Sequence, residues 1–291
     1  MAGFTVPGLP EGSIIVDEIG LETGLCGPYR LKSVYQPIFR LSQTQLMPVG
    51  VEAFVQPRLD LEPVAPDAFL ATVPVEQQGA VKALCRALHI GNYQHIGGDH
   101  LQLHLNCDTG AQGGWDEAIA QMGFMATLAA EVDLAPELVF CGFIARDMRH
   151  EDVPARLVET LHANGFRLAI DDFGPGHSVL DRIQRIRPNV VKIDGGWFRR
   201  IAGIAAATRL LAKLIGGLQR DGAQVLIKGI ETAEQLNVAR AVGADLVQGF
   251  LLGRPALAGV ALDPQPLDIE RFFRDPGAVI VPLRERVARG D

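Results

Sequence analysis

Residues 168–174 read Leu-Ala-Ile-Asp-Asp-Phe-Gly, and residues 191–194 read Val-Lys-Ile-Asp. Each stretch is a short apolar segment, typical of a buried strand, with charged side chains at its C-terminal end. Two adjacent carboxylates leaving a buried strand repel each other unless a metal ion, another cation or strong hydrogen-bond donors neutralise them. Asp171 and Asp172 therefore predict a divalent-metal or phosphate site. The alternative is a helix cap at Asp171 beside a solvated Asp172.

The composition limits the classes of partner. The chain has 291 residues, 48% of them apolar, a net charge of -7 and a pI near 5.5. This length and apolar content predict one barrel-sized domain or two small ones. Excess acid argues against nucleic acid polymers and anionic membranes as partners, because both attract Lys and Arg. Small molecules and proteins are the expected partners.

Cysteine usage indicates the compartment. The four cysteines, Cys26, Cys85, Cys107 and Cys141, are widely separated and form no C-x-x-C pair. The N-terminus has no signal-peptide pattern, and the chain lacks 18 consecutive apolar residues. We expect a reduced, cytoplasmic protein with no membrane span.

Eight short apolar segments have the length and composition of strands. They cover residues 33–39, 49–54, 101–106, 137–141, 167–171, 189–193, 223–228 and 246–250. Stretches with apolar residues three or four positions apart predict helices at 115–130, 153–164, 178–185, 201–220 and 233–242. Strand and helix alternating through eight strands predict a (β/α)8 barrel. The alternative architecture is an open, doubly wound sheet.

The alternation of side chains predicts which of them face the barrel interior. Within residues 101–106, leucines occupy one face, and Gln102, His104 and Asn106 occupy the other. Applied to the other strands, the alternation places a further set of residues inward, near the strand ends: Glu52, Cys141, Asp171, Lys192, Lys228 and Gln248. Burying so many polar groups without partners is costly, so they predict a pocket at the C-terminal rim.

Seven sequence motifs together identify a family. They are Val-Tyr-Gln-Pro-Ile at 34–38, Val-Glu-Ala-Phe at 51–54, His-Leu-Asn at 104–106, Ile-Asp-Asp-Phe-Gly at 170–174, Val-Lys-Ile-Asp at 191–194, Lys-Gly-Ile-Glu-Thr at 228–232 and Val-Gln-Gly-Phe at 247–250. In order and spacing they resemble the EAL domain of cyclic di-GMP phosphodiesterases. The resemblance implies a modified TIM (β/α)8 barrel with one antiparallel strand. It also implies a rim pocket that, in active members, holds two Mg2+ or Mn2+ ions and one cyclic dinucleotide.

The extent of the resemblance divides the chain into three parts. Residues 1–24 are expected to form an N-terminal arm, residues 25–260 the EAL-like barrel domain, and residues 261–291 a C-terminal extension.

The resemblance also assigns site residues. It places the family's metal-binding positions on Glu52, Asn106, Asp171 and Asp172, and its catalytic lysine on Lys192. The full set of candidate ligand-binding residues is Gln36, Glu52, Phe54, Gln56, Asn106, Asp171, Asp172, Lys192, Lys228, Glu231 and Gln248. Remnants of the catalytic set are Lys192, Lys228 and Glu231.

Two positions depart from the family pattern in ways that affect metal binding and proton transfer. We align Cys141 with the fourth-strand metal-binding glutamate of the family, and a thiol binds Mg2+ poorly. A Zn2+ site at Cys141, with Asn106, His104 or Cys107 nearby, is an alternative to an inert buried thiol. Lys228 stands where the family has a glutamate proposed as general base. A lysine among carboxylates stays protonated and cannot accept a proton.

Further departures affect substrate contacts. Gln56 replaces an arginine expected to contact the ligand phosphate. Ile144 replaces a glutamate thought to anchor the loop after the aspartates, and that loop, residues 174–179, differs as well. Together the departures predict a degenerate EAL domain that is not an enzyme and acts as a cyclic di-GMP receptor or a protein-interaction regulator. No cofactor is expected beyond weakly bound Mg2+ or Mn2+.

Two alternatives remain open. One is a residual metal-dependent phosphodiesterase that hydrolyses cyclic di-GMP to linear pGpG. The other is a Schiff-base aldolase built on a barrel lysine, which the acids around Lys228 disfavour. From charge alone, Lys228→Glu with Cys141→Glu should raise the affinity for Mg2+ or Mn2+.

Protein partners are expected but not identified by the sequence. A homodimer would form through the region following the aspartate loop, as the resemblance implies. Candidates for that surface are Asp181, Arg182, Arg185 and Arg187, which an ordinary charged helix face explains equally well.

Overall fold

The computed structural model describes residues 6–98, 100–107, 114–149, 153–174, 180–274 and 283–285. Its strands are β1 Ile14–Val16, β2 Glu22–Cys26, β3 Tyr29–Leu41, β4 Gln45–Leu59, β5 Glu62–Pro63, β6 Gln102–Asn106, β7 Val139–Ile144, β8 Arg167–Phe173, β9 Val190–Ile193, β10 Gln224–Ile227, β11 Leu246–Val247, β12 Ala256–Leu257, β13 Val260–Leu262, β14 Leu267–Asp268 and β15 Leu283–Glu285. Its α-helices are α1 Pro66–Leu70, α2 Val75–Gly91, α3 Gly114–Glu131, α4 Val153–Ala163, α5 Leu180–Ile186, α6 Gly195–Ile201, α7 Ala205–Arg220, α8 Ala233–Ala241 and α9 Arg271–Arg274. Short 3-10 helices cover Asn92–Ile96, Pro136–Leu138 and Ala145–Arg149.

Eight of the strands close into a barrel. Their order is β3, β4, β6, β7, β8, β9, β10 and β11, and β11 pairs back onto β3. From β4 to β11 each neighbouring pair is parallel, whereas β3 is antiparallel to both of its neighbours. The (β/α)8 barrel with one antiparallel strand is therefore confirmed, and the open doubly wound sheet is excluded.

The first two barrel strands are longer than predicted. The sequence predicts strands at 33–39 and 49–54, but β3 and β4 continue beyond the barrel as one antiparallel hairpin, paired from Tyr29–Leu59 to Leu41–Leu46. The predicted helix at 201–220 corresponds to α7, which begins at Ala205, and the short helix α6 that precedes it was not predicted. Helix α2 was not predicted at all.

Two apolar layers flank the strands. The larger lies between the barrel and its helices. The smaller fills the barrel interior below the rim and consists of Ile38, Phe140, Ala169, Val190, Leu226 and Leu246, with Val49 packed against them. The His104 ring stacks on Phe140 within this interior, with 4.5 Å between ring centroids. Because the interior is filled with side chains, as in other closed barrels, it has no room for a ligand below the rim in the part of the chain that the structure describes.

Segments outside the predicted barrel domain extend the sheet. Strands β1 and β2 pair antiparallel, and β2 adds to the part of β3 that projects from the barrel. At the other end, β14 pairs with β4, whereas β13 and β15 form a separate two-stranded sheet. The boundaries at residues 24 and 260 remain predictions. No helix in the described ranges has the length and apolar character needed to span a membrane.

Candidate functional site

A cavity of about 570 Å³ opens at the C-terminal rim of the barrel. Parallel strands end at the same edge, so the residues at their ends meet there. The predicted site residues that line the cavity are Gln36, Glu52, Phe54, Asn106, Asp171, Asp172, Lys228, Glu231 and Gln248. The structure thus brings together most of a set whose members are as far apart as residues 36 and 248.

Two predicted residues lie elsewhere. Lys192 is only 1% exposed, and its Nζ donates to Glu52 Oε1 at 2.7 Å. The same ammonium is 3.4 Å from Asp171 Oδ2, so it ties the two carboxylates together. Gln56 is half-buried further along β4, opposite Lys32, and does not line the cavity.

A local irregularity directs both aspartates to the rim. The pairing of β8 with β9 shifts register between Ile170 and Phe173, and Asp172 has a left-handed φ of 53°. Such a bulge turns consecutive side chains away from strict alternation. Asp171 is buried and its Oδ1 accepts a hydrogen bond from the Asp172 amide at 2.6 Å, whereas Asp172 is half-exposed.

The ammonium of Lys228 lies between the two aspartates. Its Nζ donates to Asp171 Oδ1 and, at 2.6 Å, to Asp172 Oδ1. Burial lowers the pKa of Lys228, but the carboxylates of Asp171, Glu52 and Asp172 raise it further, so it lies above its usual range. Lys228 is therefore a protonated cation, and it is neither a base nor a nucleophile for imine formation.

The same contacts keep Asp171 ionised. Burial raises the pKa of this carboxyl, but Lys192 and Lys228 together lower it well below its usual range. Asp171 therefore carries its negative charge at the rim over the whole physiological pH range.

Two buried polar atoms at the site have no hydrogen-bond partner among the described residues: Oε2 of Glu52 and Nε2 of Gln248. Leaving such atoms unpaired costs about 1–3 kcal/mol each, so they indicate groups that a ligand completes. The oxygens of Glu52, Asn106 and Asp171 are hard donors, which fit Mg2+ or Mn2+. In the described part of the chain no three His, Cys, Asp or Glu side chains gather around one point as a metal cluster, so an ion would also need the Asn106 amide.

The inward position predicted for Cys141 is wrong. The register of β7 against β8 pairs Gly142 with Ala169 and Ile144 with Asp171, so Gly142 and Ile144 face the cavity. Cys141 is fully buried in the outer apolar layer, where contact with Cys107 and burial raise its thiol pKa. Among the residues that the structure describes, no group of three His, Cys, Asp or Glu side chains surrounds Cys141 as a Zn2+ site would require.

Some lining residues were not predicted. Arg199 in α6 pairs with Glu231 at 3.1 Å and donates to the Gly229 carbonyl at 3.3 Å. Asp194 does not line the cavity, but it follows β9 directly and caps α6 by accepting a hydrogen bond from the Trp197 amide. An aspartate directly before a helix is a sequence signal for such a cap. Phe250 also lines the cavity, and the guanidinium of Arg254 lies 4.7 Å from its ring centroid.

Some features predicted from the sequence lie outside the described residues. The loop at 175–179 and the side chains of Asp181 and Arg182 are not described. The expectations about loop ordering and about a dimer surface there stay predictions.

Comparison with known proteins gives matches over most of the chain. The model of the EAL domain matches residues 27–255. The probable cyclic di-GMP phosphodiesterase PdeD of Escherichia coli is 35% identical over 104 residues, which cover 36% of this chain and 20% of that protein. The cyclic di-GMP phosphodiesterase NbdA of Pseudomonas aeruginosa is 27% identical over 244 residues, 78% of this chain and 29% of that protein. The chain thus spans less than a third of either relative.

Solved structures share the fold. BlrP1 of Klebsiella pneumoniae, in a calcium and cyclic di-GMP complex, matches with a TM-score of 0.68 at 23% identity, covering 82% of this chain and 59% of that one. A standalone EAL protein of Vibrio cholerae, bound to cyclic di-GMP, matches with a TM-score of 0.65 at 23% identity, covering 78% of this chain and 92% of that one.

These matches correct one expectation. The altered motifs led us to expect a chain that is not an enzyme. The curated relatives that match it are instead named cyclic di-GMP phosphodiesterases, which contradicts that expectation. Lys228 and Gly142 carry no carboxylate, but this alone does not make a chain inactive, because Glu52, Asn106 and Asp171 lie together at the cavity and Lys192 contacts both carboxylates.

Proposed function

Because the chain belongs to the EAL domain family, we propose that it is a metal-dependent cyclic di-GMP phosphodiesterase that produces linear pGpG. The observation that carries the proposal is the convergence of Glu52, Asn106, Asp171 and Asp172 on one open rim cavity, with Lys192 bonded beneath them. Cyclic di-GMP is the proposed small-molecule partner.

Glu52 and Asn106 would hold the metal ion, next to the Asp171 carboxylate. Bound there, Mg2+ or Mn2+ supplies positive charge to a phosphodiester and lowers the pKa of a water molecule. Glu52 Oε2, a buried oxygen that has no hydrogen bond in the described structure, would be one ligand of this ion. Lys192 fixes the other oxygen of Glu52 and one oxygen of Asp171, so both carboxylates are oriented before any ligand arrives.

Cationic side chains at the cavity favour a phosphate ligand. Lys228 and Arg199 both line it. Lys228 supplies a fixed positive charge between the aspartates, whereas Arg199 is partly exposed and can turn toward a phosphate oxygen. Charge-assisted contacts of this kind are about twice as strong as neutral hydrogen bonds. Phe54 and Phe250 offer apolar ring surface for the bases, and Gln248 Nε2 is a buried donor that still lacks an acceptor.

Proton transfer falls to exposed carboxylates. Lys228 is protonated and cannot take a proton from water. Asp172 and Glu231 line the cavity and are each about half-exposed, with 48% and 47% of the side chain accessible. Both carboxylates are open to water, whereas Glu52 and Asp171 are buried, so a proton moved at the rim can reach solvent through Asp172 or Glu231.

The proposal is tested by incubating the full chain with cyclic di-GMP and Mn2+ and quantifying pGpG by chromatography. We expect pGpG in the presence of Mn2+ and none in EDTA. Glu52→Gln should abolish the product, because it removes a buried carboxylate donor. Lys213→Gln, an exposed change on α7, should leave the rate unchanged. Equal amounts of pGpG with and without EDTA, or no pGpG at all, would overturn the proposal.

A protein partner and a homodimer remain proposals from the sequence. Location in a reducing compartment is also a proposal from the sequence. The four cysteines are free thiols, which is compatible with such a compartment.

A further inference from the structure

The two adjacent aspartates of the rim already hold a cation, the ammonium group of Lys228. The EAL resemblance implies two divalent ions at these positions. We propose that the Lys228 ammonium takes the place of one of them, so that the rim binds a single Mg2+ or Mn2+ ion. This inference rests on the proposed metal-dependent function and makes the site mononuclear.

The contacts of Asp171 are the first observation that supports a single metal ion. Its Oδ1 accepts from Lys228 Nζ and from the Asp172 amide, and its Oδ2 lies 3.4 Å from Lys192 Nζ. Both oxygens of the buried carboxylate are therefore engaged by donors. An ion bridging Asp171 and Asp172 would have to displace Lys228 from both of them.

Displacement would be costly because the ammonium is well fixed. Only 22% of the Lys228 side chain is exposed, and the Asp171 side chain is 8% exposed. Breaking a largely buried ion pair by removing one partner is strongly unfavourable, because a charge is left unpaired. A tethered ammonium also needs no binding from solution, so it competes with free metal at every concentration.

The balance of charges at the rim is the second observation that supports a single metal ion. Three carboxylates, Glu52, Asp171 and Asp172, face two ammonium groups, Lys192 and Lys228. One negative charge remains, which suits one divalent ion far better than two. Glu231 adds little to this balance, since it is paired with Arg199 at 3.1 Å.

The unsatisfied oxygen shows where that ion would bind. Glu52 Oε2 is the buried carboxylate oxygen at the rim that has no hydrogen bond in the described structure. It belongs to a residue that is 2% exposed and lines the same cavity as Asn106. The side of the cavity next to Glu52 is thus open to a cation, and the side between the aspartates is taken.

The test counts bound metal without using turnover. The full chain is stripped with EDTA, dialysed and titrated with Mn2+, and free Mn2+ is measured by electron paramagnetic resonance in the absence of nucleotide. We expect one Mn2+ per chain for the parent. Lys228→Glu removes the ammonium and adds a carboxylate, so we expect two. Lys228→Arg keeps the positive charge and should stay at one.

A matched control separates local from general charge effects. Lys213→Glu makes the same charge change on the exposed face of α7 and should stay at one. Circular dichroism confirms that each variant is folded. Two Mn2+ in the parent, none in the parent, or an unchanged count in Lys228→Glu would each overturn the inference. One Mn2+ in the parent without any pGpG would instead overturn the proposed function and leave this inference standing.

Discussion

The Nζ of Lys192 lies 2.7 Å from Oε1 of Glu52, with both side chains no more than 3% exposed. The two residues are 140 positions apart in the sequence and come from β9 and β4. A fully buried pair of this kind is strongly coupled, because removing either partner leaves the other charge without compensation. The pair therefore joins the stability of the barrel to the orientation of its proposed metal-binding carboxylate.

We expect Lys192→Met to lower the free energy of unfolding by about 3 kcal/mol, since Glu52 would be left buried and unpaired. The double variant Glu52→Gln with Lys192→Met should regain at least half of that loss. Urea unfolding followed by circular dichroism measures both. Strictly additive effects of the two single changes would show that the pair is not coupled.

A second prediction follows from the orientation of β7, in which Gly142 and not Cys141 faces the cavity. Gly142→Glu places a carboxylate at the rim, where an added Cβ meets the Leu105 carbonyl oxygen at 3.4 Å and Lys192 Nζ at 4.0 Å, so there is room for it. We expect the affinity for Mn2+ to rise about tenfold, or about 1.4 kcal/mol, by isothermal titration.

Cys141→Glu is the matched comparison. Its side chain would enter the outer apolar layer, where an unpaired charge is expensive, so the variant should be destabilised by about 3 kcal/mol or more with no gain in Mn2+ affinity. A gain with Cys141→Glu and none with Gly142→Glu would contradict the β7 register.

A third prediction concerns pH. Burial raises the pKa of Glu22 from 4.5 to about 7, and its Oε2 has no hydrogen bond among the described residues. Because the folded-state pKa is the higher one, the protonated carboxyl stabilises the fold fully below pH 4.5. This contribution is lost as the pH rises toward about 7.

Glu22→Gln should therefore stabilise the chain at pH 8 by about 1–2 kcal/mol, after allowance for solvent screening of a half-buried group, and change little at pH 4. Thermal unfolding at both pH values measures this. An equal effect at pH 4 and pH 8 would contradict the raised pKa.

A fourth prediction concerns substrate contacts. Arg199 lines the cavity, whereas its exposed neighbour Arg200 does not. We expect Arg199→Ala to weaken cyclic di-GMP binding in EDTA by about fivefold to tenfold, because a charged contact to phosphate is worth roughly 1–1.5 kcal/mol at a partly exposed site. Arg200→Ala should bind as the parent does, so a loss shared equally by both variants would point to general charge alone.

The sequence predicted the barrel because its strands and helices alternate clearly, and it predicted the pocket because polar residues end several strands. The meeting of Lys228 with Asp171 follows from that arrangement, since both lie at the C-terminal ends of strands in one parallel barrel. The lengths of β3 and β4 were underestimated because their pairing continues in a hairpin outside the barrel.

The phase of β7 could not be derived from the sequence. In the strand Val139–Ile144 both faces are apolar, one with Val139, Cys141 and Phe143 and the other with Phe140, Gly142 and Ile144. Alternation distinguishes two faces only when one of them is polar. Arg199 was missed for a different reason: its position over the rim depends on where the helix after β9 begins, which the local pattern alone does not give.

The most direct test of the account follows pGpG formation by the full chain as a function of Mn2+ concentration and compares it with the Mn2+ binding curve of the same protein. We expect turnover and Mn2+ occupancy to rise together, and Glu52→Gln to lose both. Formation of pGpG at a constant rate across the titration, or full Mn2+ occupancy without any pGpG, would contradict this expectation.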